Sequence, residues 1–268
     1  MVVFYLFLIS NLHTLCSCGD TEERRDGPQE VSSNTNRMSS FRTINLADPS
    51  PNVCKVLDLI SEYGPVRVHV PVNERVVGRV INDLETVWNS SEQGEVCLYC
   101  ITFPKGTNHL VVIIAKETPL GLDHLYFKRK GGGWKSSTKG YIDKIPKLKH
   151  NKNPNYTTTL NISTELQHCH IVRESLYGVS VSLYFSREDY QIQKVVDDTE
   201  TIWQAEDEKN EKLFIAQFYS RQNAPPMLLI WIMKRYVMER LHYVKKRRTW
   251  DKVPAVVFNE TFAELKRV

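Results

Sequence analysis

Val80-Ile81-Asn82-Asp83-Leu84-Glu85-Thr86-Val87-Trp88 returns 115 residues later as Val195-Val196-Asp197-Asp198-Thr199-Glu200-Thr201-Ile202-Trp203, with five positions identical. A segment repeated at such a distance decides the architecture, because it means one folded unit used twice. Working outward, Thr43-Ile44-Asn45-Leu46 corresponds to Thr159-Leu160-Asn161-Ile162, Cys54 to Cys169, and Tyr63-Gly64 to Tyr177-Gly178. Beyond the shared tryptophan, the apolar runs 110–114 and 227–232 correspond, and 125–130 matches 241–246, each leading to a second tryptophan. A period this long exceeds the roughly 20 to 50 residues of solenoid units. The sequence therefore predicts two tandem domains, at 41–149 and 156–268, joined by a polar, proline-containing linker at 150–155.

Within each copy the period is two. Val66, Val68, Val70 and Val72 alternate with Arg67 and His69, and Val181, Leu183 and Phe185 stand at the matching places. That pattern predicts a strand with one buried face. Asn82-Asp83 and Asp197-Asp198 predict tight hairpin turns, since Asn and Asp tolerate positive φ. Residues 110–114 are apolar at every position, which predicts a central strand covered on both sides. Only the two ends, 141–149 and 255–268, leave room for a short helix. The fold class is mainly β: two β-sandwich or barrel-like domains of the same fold, each with a short closing helix as an option. Trp88, Trp134, Trp203 and Trp250 are then expected as repeat core rather than as platforms for a stacked ligand.

The net charge of +4 points by itself to neither nucleic acid nor membrane, and a hydrophobic content of 41% suffices for cores in both copies. Residues 1–19 read as a secretory signal peptide, with a buried strand as the alternative, and 20–40 as a disordered leader. No other stretch reaches the length of a transmembrane helix. Asn89, Asn155, Asn161 and Asn259 each open a glycosylation sequon.

The motifs of hydrolases, phosphate loops, dinucleotide sites and zinc proteases are absent, so the chain is expected not to be an enzyme and to carry no cofactor. Cys97-Leu98-Tyr99-Cys100 has the form of a metal knuckle or redox pair, but residues three apart on a regular strand face opposite ways, which argues against a shared ion. His168 and His170 share a strand face on the same logic, without a carboxylate cluster to make a metal site. Cys169 has no cysteine partner within its copy and is either free and buried or bridged to the other copy. Positive charge gathers at one end of both copies, in Lys128, Arg129 and Lys130 and again in Lys245, Lys246, Arg247 and Arg248. Such runs contact phosphates or direct nuclear import, or simply keep a hairpin tip soluble.

The order of these features (an early Asn-Leu or Asn-Ile strand, a Val-x-x-Asp hairpin ending in Val/Ile-Trp, an apolar central strand and a Lys-rich strand ending in Trp) resembles the FAINT domain, named for its frequency in secreted proteins of Theileria and related piroplasm parasites. The resemblance is carried best by 190–203, 214–234 and 241–250, and more loosely by 76–88 and 125–134. It implies secretion and action on the host cell, in some members within the host nucleus, and it supplies no catalytic residues. The resulting expectation is a secreted, non-enzymatic protein that binds host macromolecules, most readily a host protein, with nucleic-acid binding through the basic strand ends as the alternative.

Overall fold

The computed structural model describes residues 41–72, 76–91, 95–105, 108–137, 155–164, 167–176, 178–208, 210–234 and 237–267. The expected signal peptide, the leader, the linker apart from Asn155 and the helix foreseen at 141–149 lie outside them. The first copy holds β1 (Arg42–Asn45), β2 (Cys54–Ser61), β3 (Gly64–Pro71), β4 (Val77–Asn82), β5 (Glu85–Asn89), β6 (Val96–Lys105), β7 (Asn108–Thr118), β8 (Gly121–Lys130) and β9 (Gly133–Ser137). The second holds β10 (Tyr156–Asn161), β11 (Cys169–Leu176), β12 (Val179–Ser186), β13 (Tyr190–Asp197), β14 (Glu200–Gln204), β15 (Glu211–Ser220), β16 (Met227–Lys234), β17 (Val237–Lys246), β18 (Thr249–Val253) and α1 (Ala255–Arg267).

Each copy splits into a three-stranded and a six-stranded sheet of the same order, β1-β4-β5 with β2-β3-β6-β7-β8-β9, and β10-β13-β14 with β11-β12-β15-β16-β17-β18. The first strand pairs parallel with the fourth in both copies, β1 with β4 and β10 with β13. Even the irregularities recur: register shifts fall at Arg42/Thr43 and Thr158/Thr159, at Val80/Ile81 and Val195/Val196, and at Cys97/Tyr99 and Leu213/Ile215. The sheets stay open at their edges, so the architecture is sandwich-like and the barrel alternative falls away.

The side chains fill three cores. One lies between the small and large sheets of the first copy and contains Ile44, Val80, Trp88, Val112 and Ile114. Its counterpart in the second copy contains Leu160, Val195, Trp203, Leu228 and Ile230. The third belongs to both copies, with Val66, Val68, Tyr99, Ile101 and Ile113 of the first large sheet packed on Val181, Leu183, Phe214, Ile215 and Trp231 of the second. All described residues accordingly belong to one compact unit. The aromatic contacts across this shared core are direct: Tyr63 meets Phe214 edge-on at 4.9 Å, Phe103 stacks on Phe214 at 5.7 Å, and Trp231 meets His124 at 4.9 Å and Tyr126 at 5.6 Å.

This layering corrects the expectation of one buried face for β3. Val66, Val68 and Val70 face the shared core, yet His69, on the opposite face, is equally buried, because the small sheet covers that side. β7 is buried on both sides for the same reason, with Val111 and Ile113 turned to one core and Val112 and Ile114 to the other. The hairpin turns fall at Asp83-Leu84 and Asp198-Thr199, one residue later than expected, with φ of 55° at Asp83 and 54° at Asp198. One asparagine clamps each turn. Asn45 Oδ1 accepts from the amides of Ala47 and Asp83 at 3.2 and 3.0 Å, and Asn161 Oδ1 accepts from those of Ser163 and Asp198 at 3.1 Å.

The helix at the C-terminal end buries Phe258, Phe262 and Leu265 in the shared core. Arg221 Nη1 donates to the carbonyls of Leu265 and Lys266, satisfying acceptors that the helix end leaves open. The helix also packs on the first copy, where Gly121 has φ of 118° and a Cβ there would stand 2.6 Å from that of Asn259. Glycine is required at that position by both conformation and space.

Candidate functional site

The junction between the copies forms an open cleft of about 770 Å³, within the size range of ligand pockets. Its walls are Asp58, Leu59 and Ile60 at the end of β2, Gln167, His168 and His170 around the start of β11, and the 187–190 turn between β12 and β13. The turn is held by backbone bonds from Arg187 N to His168 O at 3.1 Å and from Tyr190 N to Arg187 O at 3.0 Å. A short bond from Ser186 Oγ to Tyr190 O fastens it further. The two copies meet here through an isolated bridge between Ser61 and Arg187 and a bond from His170 Nε2 to Ile60 O at 3.1 Å.

The histidines do not converge as the alternation suggested. β11 begins at Cys169, so His168 precedes the strand and lies against the Tyr190 ring at 4.3 Å, while His170 is committed to the Ile60 carbonyl. Burial lowers the His170 pKa, and the Arg187 charge adds to that, against the opposing effect of the Ile60 bond. Among the described residues no cluster of His, Cys, Asp or Glu could hold a metal ion. Asp58 is occupied by Arg67, whose Nε and Nη2 reach its two oxygens at 2.6 and 3.1 Å. Arg187 and Glu188 are left exposed at the mouth, beside an Ile60 that is 52% exposed. The cleft thus offers charges of both signs around an apolar residue, which suits recognition of a mixed surface.

The basic strand ends lie at the equivalent hairpins β8–β9 and β17–β18, and much of their charge is engaged within the chain. Arg129 Nη2 reaches Glu85 at 3.2 Å. Lys245 Nζ reaches Asp197 Oδ2 at 2.6 Å while lying over the Trp250 ring at 5.9 Å, and Lys246 pairs with Asp251 at 3.3 Å. Lys128 is half-buried, whereas Lys130, Arg247 and Arg248 project into solvent. Burial would raise the Asp197 pKa, but the bonds from Lys245, Ser163 and Trp250 Nε1 outweigh it and hold the carboxyl below its ordinary value. Trp88 and Trp203 are buried in the outer cores, while Trp134 and Trp250 are partly exposed and pack on the rims of those cores.

The four sequon asparagines differ in setting. Asn89 and Asn155 are exposed, whereas Asn161 and Asn259 are half-buried. Asn161 is the turn clamp, and its sequon hydroxyl, Ser163 Oγ, is bonded to Asp197.

The shift at Cys97/Tyr99 overturns the argument that Cys97 and Cys100 face apart. The extra residue of a bulge re-aims the chain, so that Leu98 and Tyr99 both enter the shared core while Cys97 and Cys100 both enter the outer one, their sulfurs 3.4 Å apart. Cys54 is buried in the same outer core, and burial together with the neighbouring Cys97 pushes its thiol up to about 11. Cys169 is free and buried, its thiol pushed up to about 12 by burial.

A polar seam also crosses the shared core, and nothing in the alternation pointed to it. Tyr99 Oη lies 3.3 Å from His124 Nε2, and Tyr219 Oη donates to Gln217 Oε1 at 2.7 Å. Burial, helped by the Arg240 charge, lowers the His124 pKa to about 3. Among the described residues three lysine–glutamate pairs tie the copies together, Lys55 to Glu174 at 2.7 Å, Lys212 to the fully buried Glu62, and Lys266 to Glu117. Each copy repeats a further buried glutamate that caps its own loop: Glu95 accepts from Ser91 N, and Glu211 from Glu206 N, both at 3.1 Å.

Compared with known proteins, residues 147–232 match the FAINT family, described as a domain of unknown function, DUF529. The match runs from before β10 into β16 and leaves β1 to β9 outside. No curated protein and no solved structure matches.

Proposed function

We propose that this chain is a secreted, non-enzymatic binding protein of a piroplasm-type parasite, built from two FAINT-like modules, whose partner is a host protein. The observation that carries this reading is the junction cleft, to which both copies contribute and whose mouth presents Ile60, Arg187 and Glu188 to solvent. Apolar centres rimmed by charges are the usual anatomy of protein interfaces. The test is capture of host-cell protein by the immobilised chain, followed by titration of the captured partner against Ile60→Asp and Arg187→Glu variants. Binding weakened at least about tenfold by either variant, a loss of about 1.4 kcal/mol, supports the reading; unchanged affinity in both would sink it.

A second reading, a nucleic-acid-binding or host-nucleus-targeted effector, is favoured by the solvent-facing Lys130, Arg247 and Arg248 at equivalent tips. It predicts that DNA retention falls steeply with salt, and that alanine at Lys245, Lys246, Arg247 and Arg248 abolishes it. The same variant should exclude the tagged chain from host nuclei.

A further inference from the structure

The bulge in β6 recurs in β15, and the two copies fill it differently. In β15 the residues turned to the outer core are Leu213 and Ala216, an ordinary apolar pair. In β6 the same two places hold Cys97 and Cys100, 2% and 0% exposed. The backbone device therefore needs no sulfur, and the thiols are an addition peculiar to the first copy. Their sulfurs are already in contact at 3.4 Å. A bond of about 2.05 Å between them requires a shift of little more than about 1 Å, within reach of χ1 adjustment.

We propose that Cys97 and Cys100 form a disulfide when the chain folds under oxidising conditions, while Cys54 and Cys169 remain thiols. The first thiolate attacks one sulfur of an external disulfide such as oxidised glutathione, giving a mixed disulfide and releasing one glutathione thiol. The second thiolate attacks the protein sulfur of that mixed disulfide, closes Cys97 to Cys100 and releases the second glutathione. The two protons given up by the protein thiols are taken up by the two departing glutathione thiolates, and the two electrons reside in the reduced glutathione. Once folded, the pair lies beneath the small sheet, and burial raises the Cys100 thiol well above its ordinary range. Exchange through the thiolate is then suppressed, so the bond forms before the small sheet closes over the pocket. Cys54 is the competitor, since it shares the pocket. It sits on β2, however, with β3 between it and β6, whereas Cys97 and Cys100 are neighbours on one strand.

The experiment is to refold the full chain in a glutathione redox buffer, alkylate it in denaturant and digest it with trypsin. Cys97 and Cys100 fall in the single peptide 80–105, Cys54 in 43–55 and Cys169 in 153–173. The expected result is an unalkylated 80–105 peptide lighter by two hydrogens than its reduced form, with 43–55 and 153–173 alkylated. The Cys54→Ala variant should give the same 80–105 product. A doubly alkylated 80–105, a cross-link between 80–105 and 43–55, or loss of the bond in Cys54→Ala would each overturn the assignment.

Discussion

Strands β6 and β15 make the same bend for different contents. Both shift register at the same place, and both then turn two consecutive side chains, Leu98 and Tyr99 or Phe214 and Ile215, into the shared core. On the outer side one copy buries sulfur and the other hydrocarbon. The difference teaches that backbone geometry is what the two halves share, and that their side chains differ where a core merely has to be filled. Across the shared core the divergence becomes complementary. Trp231 occupies the place in β16 that Ala115 occupies in β7, and it fills the space beside His124 and Tyr126 of the first copy.

That complementarity can be broken most severely at Trp231, which is fully buried. Trp231→Ala is expected to cost about 3 to 5 kcal/mol, read from denaturant midpoints. Trp231→Phe should cost far less, because the indole N–H has no hydrogen-bond acceptor. A small loss in the alanine variant would mean that the two large sheets do not depend on each other.

The asymmetry of the junction is probed next by Lys212→Met. It leaves the buried Glu62 carboxylate without its cationic partner, at an expected cost of about 3 kcal/mol. Exchanging Glu62→Gln and Lys212→Met together should recover much of that loss in a double-mutant cycle.

A third test uses acid. His124 stands where the second copy has Arg240, and its pKa of about 3 in the folded chain lies below the ordinary 6.5. Between those values the unfolded chain takes up a proton that the folded chain refuses. Stability present above pH 6.5 is therefore lost as pH falls toward 3, by about 2 kcal/mol at pH 5. His242, lowered by burial and by the Arg240 charge to about 4, acts in the same direction from 6.5 downward. His124→Gln should flatten the stability profile between pH 7 and 5, and an unchanged slope would refute the role given to His124.

The smallest effect is at the tips. Copy one turns its β8–β9 hairpin through Gly131 and Gly132, with φ of 59° and 82°, but copy two places Arg247 at φ of 58°. A non-glycine residue there costs about 1 to 2 kcal/mol, so Arg247→Gly should raise the unfolding midpoint by about 1 kcal/mol equivalent. Destabilisation by that substitution would mean that the arginine side chain makes contacts that outweigh its strain.

How much of this was legible follows from what periodicity can encode. The strands, the central position of β7 and the turn aspartates were readable because alternation and positive φ leave direct marks on residue choice. The second buried face of β3 was not, since a histidine at position 69 looks like the polar half of an alternation until another sheet is laid over it. The bulge was hidden for the opposite reason: Cys97-Leu98-Tyr99-Cys100 is apolar throughout, so a one-residue slip leaves no visible fault in the pattern. The cleft joins Ile60 to His170 and Arg187, more than a hundred positions away, and local patterns are silent about such meetings.

The helix that closes the shared core leaves the ribosome after every strand that it covers. Until Phe258, Phe262 and Leu265 emerge, the inner face of the first large sheet can be finished only in part, however early its own strands have paired. Synthesis therefore passes through an interval in which an aromatic-rich surface is made but uncovered. A chain stalled or truncated before residue 255 would present that surface to its neighbours, and should depend on chaperones in proportion to the length of the pause.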